Sequence, residues 1–280
     1  GKQAPGQGIT PMAAIILVRG AGDLATGVIS RLVRVGLRVV ATEMDKPLAV
    51  RRTVSFSEAI YLEEKTVEGI TARAVKDPSD SLSILTTLGR QMIPVVLDPA
   101  CTSAATLHPA VIVDARMLKK TPEPIGYSPR LYIGLGPGFI AGENCQAVIE
   151  TRRGHYLGRV IWHGAAEDDT GQPSGDPQRV LRSPANGTIS SLVEIGQTVK
   201  KGQVIAMIDD QHAVVSHLDG VLRGLLRTDS LVTKGMKIGD VDPRNDPSIC
   251  TSISDKALAV GGGVLEAILS RPEVRTVLWG

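Results

Sequence analysis

Aromatic side chains are scarce in this sequence, with Phe, Trp and Tyr together making up 3% of its 280 residues. So few rings leave little of the stacking platform that single-stranded nucleic acids need. Neither sign of charge is in excess: 31 Lys and Arg face 29 Asp and Glu, for a net charge of +2. Neither sign gathers into a run of five or six either, so the electrostatic footprint of a nucleic-acid binder is missing. The three cysteines, Cys101, Cys145 and Cys250, are odd in number and far apart. That excludes a disulfide framework and a CxxC-type zinc site, predicts no metal centre, and fits a reducing cytoplasm. Long hydrophobic runs are also absent. The longest, Met12 to Val18, is far short of the roughly 20 residues that span a bilayer. No small-x-small cleavage site follows it, so it reads as a buried strand and not as a leader or a membrane segment.

What is present is enough apolar content, 42%, to bury a sizeable core, and an excess of glycine, 30 residues. At about 150 residues per domain, the length predicts one large domain or two modest ones. Residues 1–12 are Gly-, Gln- and Pro-rich without periodicity, and are expected to be a disordered lead or an appended remnant outside the fold. Residues 13–170 read as alternating strands and helices. An apolar run to Val18 leads into Gly20-Ala21-Gly22-Asp23-Leu24-Ala25-Thr26-Gly27, then apolar residues at Leu24, Val28, Leu32 and Val35 mark one helix face, and Leu37 to Ala41 is a second strand. Further strands are expected near Thr71 to Val75, Ile93 to Leu97, Val111 to Val113 and Leu131 to Leu135, with a helix from about Ser79 or Asp80. This pattern predicts an α/β architecture, a Rossmann-like, doubly wound, mostly parallel sheet.

The segment from Gly20 matches GxGxxA directly after a strand and at the head of a helix, the context in which that motif binds a dinucleotide. Gly20 permits the tight turn, Gly22 leaves room for a pyrophosphate, and Ala25 allows close helix-strand packing, while the amides of Ala21 to Leu24 face the phosphates. Glu43 stands 23 residues after Gly20 at the end of the second strand, where it either accepts from a ribose diol or is a solvated strand end. Arg51 and Arg52 either clamp a phosphate or form a surface pair. A second cluster, Gly134, Gly136 and Gly138, either lines a ligand or turns a tight corner. Asp98 and Asp114 sit at strand ends, as ligand contacts or as helix caps. His155 lies in the charged centre of a hairpin-like stretch, without a second ligand at metal spacing. Of the cysteines, Cys101 is best placed to act as a nucleophile, since it follows a strand end on the expected ligand edge; a small buried thiol is the ordinary alternative.

Between Asp168 and Arg179 the chain loses periodicity and fills with Gly, Pro and Asp, marking a linker. Residues 180–248 then carry an internal repeat of 33 residues, with Gly187 matching Gly220, Val199 matching Val232, Gly202 matching Gly235 and Asp209 matching Asp242. Two hairpin-rich halves closing on each other predict a small β-sandwich. The pattern from Pro184 to Gly187 followed by Val-x-Lys-Gly resembles the biotinyl/lipoyl carriers and barrel-sandwich hybrid domains. The hairpin joining the halves reads Met207 to Ala213 and has no lysine, so no covalent biotin or lipoate is expected. Residues 249–280, with Gly261, Gly262 and Gly263 inside a helical pattern, are expected to pack back on the first domain.

The stretches VRGAGDLATG, TEMDKPLAVRRTVSFSEA, IGLGPGF, AGENCQAVIETRRGH, RVLRSPANG and ISDKALAVGGGVLEAIL together resemble the YqeB-type family, accessory proteins of selenium-dependent molybdenum hydroxylases related to XdhC-type xanthine dehydrogenase maturation factors. The resemblance implies a cytoplasmic role in maturing a molybdenum hydroxylase. It implies a bound NAD(P) or a dinucleotide form of the molybdenum cofactor, with a hydroxylase client or cofactor-maturation proteins as partners, and self-association as a further option. The alternative class is an NAD(P)-dependent oxidoreductase. It needs a proton donor beside the nicotinamide, and no Tyr-x-x-x-Lys pair is present.

Overall fold

A computed structural model describes residues 12–172 and 175–279. The expected lead, apart from Met12, lies outside the described residues. The strands in chain order are β1 (Ile15–Arg19), β2 (Arg38–Glu43), β3 (Glu64–Val67), β4 (Ile70–Val75), β5 (Ile93–Leu97), β6 (Val111–Asp114), β7 (Leu131–Leu135), β8 (Ile140–Ala141), β9 (Ala147–Ile149), β10 (Val160–Ile161) and β11 (Gly164–Ala165). They continue through β12 (Val180–Arg182), β13 (Gly187–Ser191), β14 (Thr198–Val199), β15 (Val204–Ile208), β16 (His212–Val215), β17 (Gly220–Leu225), β18 (Leu231–Val232) and β19 (Lys237–Asp242). The α-helices are α1 (Asp23–Arg34), α2 (Ala59–Leu62), α3 (Ser81–Gly89), α4 (Ala104–Leu107), α5 (Asp255–Leu269) and α6 (Pro272–Arg275).

Nine strands form one sheet in the order β10-β9-β7-β6-β1-β2-β5-β4-β3. Its central strands are apolar on both faces, as strands covered on both sides must be. Ile16 and Val18 of β1 pack on the side of α1 and α5, whereas Ile15 joins Val40, Val75, Val96 and Ile84 of α3, and Leu17 joins Ala104 of α4. α1 and α5 approach closely because both carry glycine at the seam. A Cβ on Gly27 would lie 2.5 Å from the Ala257 carbonyl oxygen, and one on Gly261 would lie 2.7 Å from that of Gly27.

The Rossmann-like, doubly wound expectation is corrected by this sheet, which is mixed. Antiparallel strands close both edges, β3 beside β4 and β10 beside β9. β3 and β4, inserted in the chain between β2 and β5, stand outside β5 at one edge, a strand pair that the 3-2-1-4-5-6 order of a dinucleotide-binding sheet lacks. Two sequence features explain the departure. Glu68 and Gly69 both take positive φ, 45° and 81°, and fold β3 and β4 into a hairpin. The crossover from β6 to β7 contains Pro122, Pro124 and Pro129 and forms no helix, because proline removes the amide a helix needs and restricts the residue before it.

The biotinyl/lipoyl-like, barrel-sandwich expectation for 180–248 is corrected as well. This part of the chain builds two small antiparallel sheets, β12-β19-β17-β14 and β16-β15-β13-β18, around a second core that includes Leu181, Ile189, Ile205, Leu222 and Val241. β12 precedes the repeat yet pairs with β19, which the repeat alone does not foretell. At the β15–β16 turn, where a carrier presents its lysine, Asp209 holds the structure together: its Oδ1 accepts from Thr188 N at 2.8 Å. The antiparallel unit is tied to the large sheet by backbone and side chain alike. Leu225 N donates to the Val50 carbonyl at 2.9 Å, and Arg227 pairs with the buried Glu58.

Candidate functional site at the carboxyl edge of the sheet

β1, β2, β5, β6 and β7 run parallel, so their carboxyl ends lie along one edge. There the chain leaves β1 for β2 on one side, and β6 lies on the other; such divergence opens a crevice between the following loops. Gly20 takes φ 91°, a conformation that favours glycine, and its amide donates to Thr42 O at 2.8 Å. A Cβ there would lie 3.3 Å from the Ala115 carbonyl, so the turn packs against the loop after β6. Gly22 differs. Its φ of −70° suits any residue, and nothing lies within 4 Å of where its Cβ would be. It is the N-cap of the twelve-residue α1, and the amides of Gly22 and Asp23 have no acceptor among the described residues. Leu24 N donates to Asp23 Oδ1 at 2.7 Å, and Ala25 is buried beneath the turn.

The other expected nucleotide contacts are engaged elsewhere. Glu43 Oε2 accepts from Ala21 N and Oε1 from Met44 N, each at 2.9 Å. Burial pushes this carboxyl above its ordinary range, and the two amide bonds offset that only in part. Arg51 is buried and donates to the carbonyls of Ile249 at 2.9 Å and Ser252 at 3.2 Å, while Arg52 donates to Leu225 O at 2.7 Å. Arg52 thereby joins the two units of the chain, and Arg51 holds the segment that follows β19. Asp98 caps the turn into α4, accepting from the amides of Thr102 and Ser103. In the second glycine cluster, a Cβ on Gly134 would lie 2.0 Å from the Phe139 ring, and one on Gly138 would lie 2.4 Å from Lys120 O. A Cβ on Gly136 would meet Thr151 at 2.6 Å. All three are packing positions.

Cys101 is 3% exposed, and burial pushes its thiol up to about 11. A nucleophilic cysteine needs the opposite, exposure and a lowered pKa. Cys145 is likewise buried and pushed up to about 11, and burial raises Cys250 too. His155 lines a separate cleft of about 550 Å³ with Tyr156, Arg159, Trp162, Glu266 and Ser270. Among the described residues, no three His, Cys, Asp or Glu side chains gather as a metal-binding group. No helix among them is long and apolar enough to cross a membrane.

A buried ionic network lies beside the glycine turn, and only Asp114 within it was marked by the sequence. Arg19, the last residue of β1, is fully buried. Its Nη1 lies 3.7 Å from Asp114 Oδ2 at the end of β6, and its Nη2 lies 3.0 Å from Glu123 Oε1 and 3.3 Å from Pro99 O. Arg116 donates to both carboxylates, at 2.7 Å to Asp114 Oδ2 and 2.6 Å to Glu123 Oε1. Tyr132 donates to Asp114 at 3.0 Å, and burial with the nearby Asp114 charge holds its phenol well above the usual range. The available signal was an arginine ending an apolar strand, together with Asp114-x-Arg116 ending another.

No family model matches this chain. The solved structures that align with it include the product-bound ectoine utilization protein EutE (DoeB) from Ruegeria pomeroyi, at 10% identity and a TM-score of 0.26, covering 83% of this chain and 86% of that one. A second is a succinylglutamate desuccinylase/aspartoacylase from Rhodobacter sphaeroides, at 14% identity and a TM-score of 0.26, covering 82% and 86%. At such scores and identities neither fold nor chemistry passes from them to this chain. In sequence the chain is 44% identical over 259 residues to the "Uncharacterized protein YqeB" of Escherichia coli (strain K12), covering 91% of this chain and 47% of that protein. The chain thus spans about half the length of the relative it matches. Over nearly its whole length this chain is similar to YqeB across the span they share.

Proposed function

We propose that this chain is an accessory protein that holds a dinucleotide at the Gly20–Asp23 turn during maturation of a molybdenum hydroxylase, the ligand being NAD(P) or the dinucleotide form of the molybdenum cofactor. The observation that carries the binding reading is the open space over Gly22, with two unengaged amides at the head of a twelve-residue helix. Helix-terminal amides and the aligned peptide dipoles favour a phosphate there. The chain fits the pyrophosphate better than the ribose. Gly22 and Asp23 are available, whereas Glu43 already accepts two amides, and Arg51 and Arg52 already donate to backbone carbonyls. The Asp23 carboxylate stands at the same helix terminus and weakens binding there, which suits a ligand that is to be passed on. The maturation role rests on the motif resemblance alone.

No cysteine meets the requirements of a chalcogen relay, so the reading is one of holding and not of sulfur or selenium transfer. The test is mass spectrometry of small molecules released from protein purified under mild conditions, followed by calorimetry with the compound found. Gly22→Val fills the open space and is expected to lower affinity at least about tenfold while the fold is retained. Unchanged affinity in that variant, or release of no nucleotide from the wild-type protein, would reject the proposal.

A further inference from the structure

The geometry points to a second anion site beside the glycine turn: Arg19 and Arg116 form a receptor for a phosphoryl group, and the carboxylate of Glu123 occupies it in place of the ligand. Two guanidinium groups converge on a single oxygen, with Arg19 Nη2 at 3.0 Å and Arg116 Nη1 at 2.6 Å from Glu123 Oε1. The other Glu123 oxygen is held only loosely, 3.5 Å from Arg116 Nη2. Convergent guanidinium groups of this kind recognise carboxylates and phosphates alike.

Three further observations separate a ligand site from an ordinary ion-pair network. First, Arg19 is fully buried, and its Nε is a buried donor with no partner. An orphaned donor costs about 1–3 kcal/mol, and a phosphoryl group brings one more acceptor oxygen than a carboxylate does. Second, the charges balance only with Glu123 in place. Asp114 neutralises one guanidinium, so withdrawal of Glu123 leaves one uncompensated positive charge at the end of β1. Third, Glu123 can leave without disturbing the core. Its side chain is 50% exposed and belongs to the helix-free crossover between β6 and β7. That crossover is anchored on either side, by Lys120 packed on Gly138 and by Tyr127 donating to Pro109 O at 2.8 Å. The intervening residues 121–126 are exposed or half-buried. Arg116 holds the Glu123 carboxyl down to about 2, so it is charged at neutral pH and competes with the ligand as an anion.

This site stands independently of the dinucleotide reading, although the two adjoin, since the Arg116 Cα lies 3.3 Å from where a Gly20 Cβ would be. The experiment is calorimetry with inorganic phosphate on the full chain, with sodium acetate as the second probe. Glu123→Ala and the isosteric Glu123→Gln should each bind phosphate at least about tenfold more tightly than the wild type, as expected when a competing charge-assisted contact is removed. Adding Arg116→Ala to Glu123→Ala should abolish that gain. Adding Gly22→Val should leave it intact, which separates this site from the glycine turn. If Glu123→Gln, folded as judged by its melting curve, binds phosphate no more tightly than the wild type, the inference is overturned. A gain for acetate equal to that for phosphate would overturn the phosphoryl assignment.

Discussion

Two glycine clusters follow two parallel strands on the same edge of the sheet, and they have opposite uses for the missing side chain. In Gly134, Gly136 and Gly138 the vacant Cβ positions are filled by the Phe139 ring, Thr151 and the Lys120 backbone. In the first cluster Gly27 is filled in the same way, by the backbone of α5, but Gly22 opens on free space. A glycine-rich turn therefore does not by itself mark a ligand. What separates packing from binding is whether the fold already occupies the space, and that is decided by residues remote in sequence.

The comparison breaks most directly at its extremes. Gly134→Ala sets a methyl group 2.0 Å from the ring of Phe139, which is 3% exposed and has nowhere to go. Overpacking of this kind should cost about 3 kcal/mol. At Gly22, serine suits both the φ of −70° and the N-cap position, so Gly22→Ser should stay within about 0.5 kcal/mol of the wild type. Urea unfolding of the two variants side by side is the check, and equal stabilities would erase the distinction between the clusters.

A smaller effect is expected at Gly27, where two forces oppose each other. In an exposed helix interior, alanine in place of glycine gains about 1 kcal/mol. Here the added Cβ would stand 2.5 Å from the Ala257 carbonyl oxygen, and a backbone atom of α5 cannot yield as a side-chain tip does. The helices must separate, and Gly27→Ala should come out destabilised by about 1–2 kcal/mol. A melting temperature at or above that of the wild type would show that the α1–α5 seam is loose. Gly27 would then belong with Gly22.

Much of the secondary structure was legible, and its arrangement was not. The apolar run before Gly20, the helix face at Val28 and Leu32, and the runs Ile93 to Leu97 and Leu131 to Leu135 all correspond to β1, α1, β5 and β7. Each of these is encoded by its own periodicity. Strand order is not local: β5 lies between β4, the strand just before it in the chain, and β2, which is three strands back. The hairpin that makes β3 an antiparallel edge turns on two residues, Glu68 and Gly69. The site divides in the same way. Gly22 is readable because its neighbours in sequence define its use, while Arg19 meets its partners from 80 to 113 positions away. Arg51 and Arg52 had the chemistry of phosphate ligands, but the backbone carbonyls that engage them, of Ile249, Ser252 and Leu225, lie more than 170 residues further on.

The finest distinction within the first cluster concerns Glu43, whose carboxylate accepts from Ala21 N and so fixes the turn that leaves Gly22 open. Burial raises its pKa above the ordinary 4.5 despite the two amide donors. The folded state thus holds this proton more tightly than the unfolded chain does. Glu43 therefore contributes stability that is fully present below pH 4.5 and is lost as the pH rises through its raised folded value. Glu43→Gln removes the titration and keeps one acceptor oxygen for the turn. The difference in melting temperature, wild type minus variant, should therefore move in favour of the wild type as the pH is lowered from 7 toward 4.5, by less than either glycine effect at Gly134 or Gly27. A difference that stays flat over that range would mean that Glu43 titrates normally in the folded protein. Its carboxylate would then be solvated enough to meet a ribose hydroxyl after all, and the ribose side of the site would have to be drawn through Glu43.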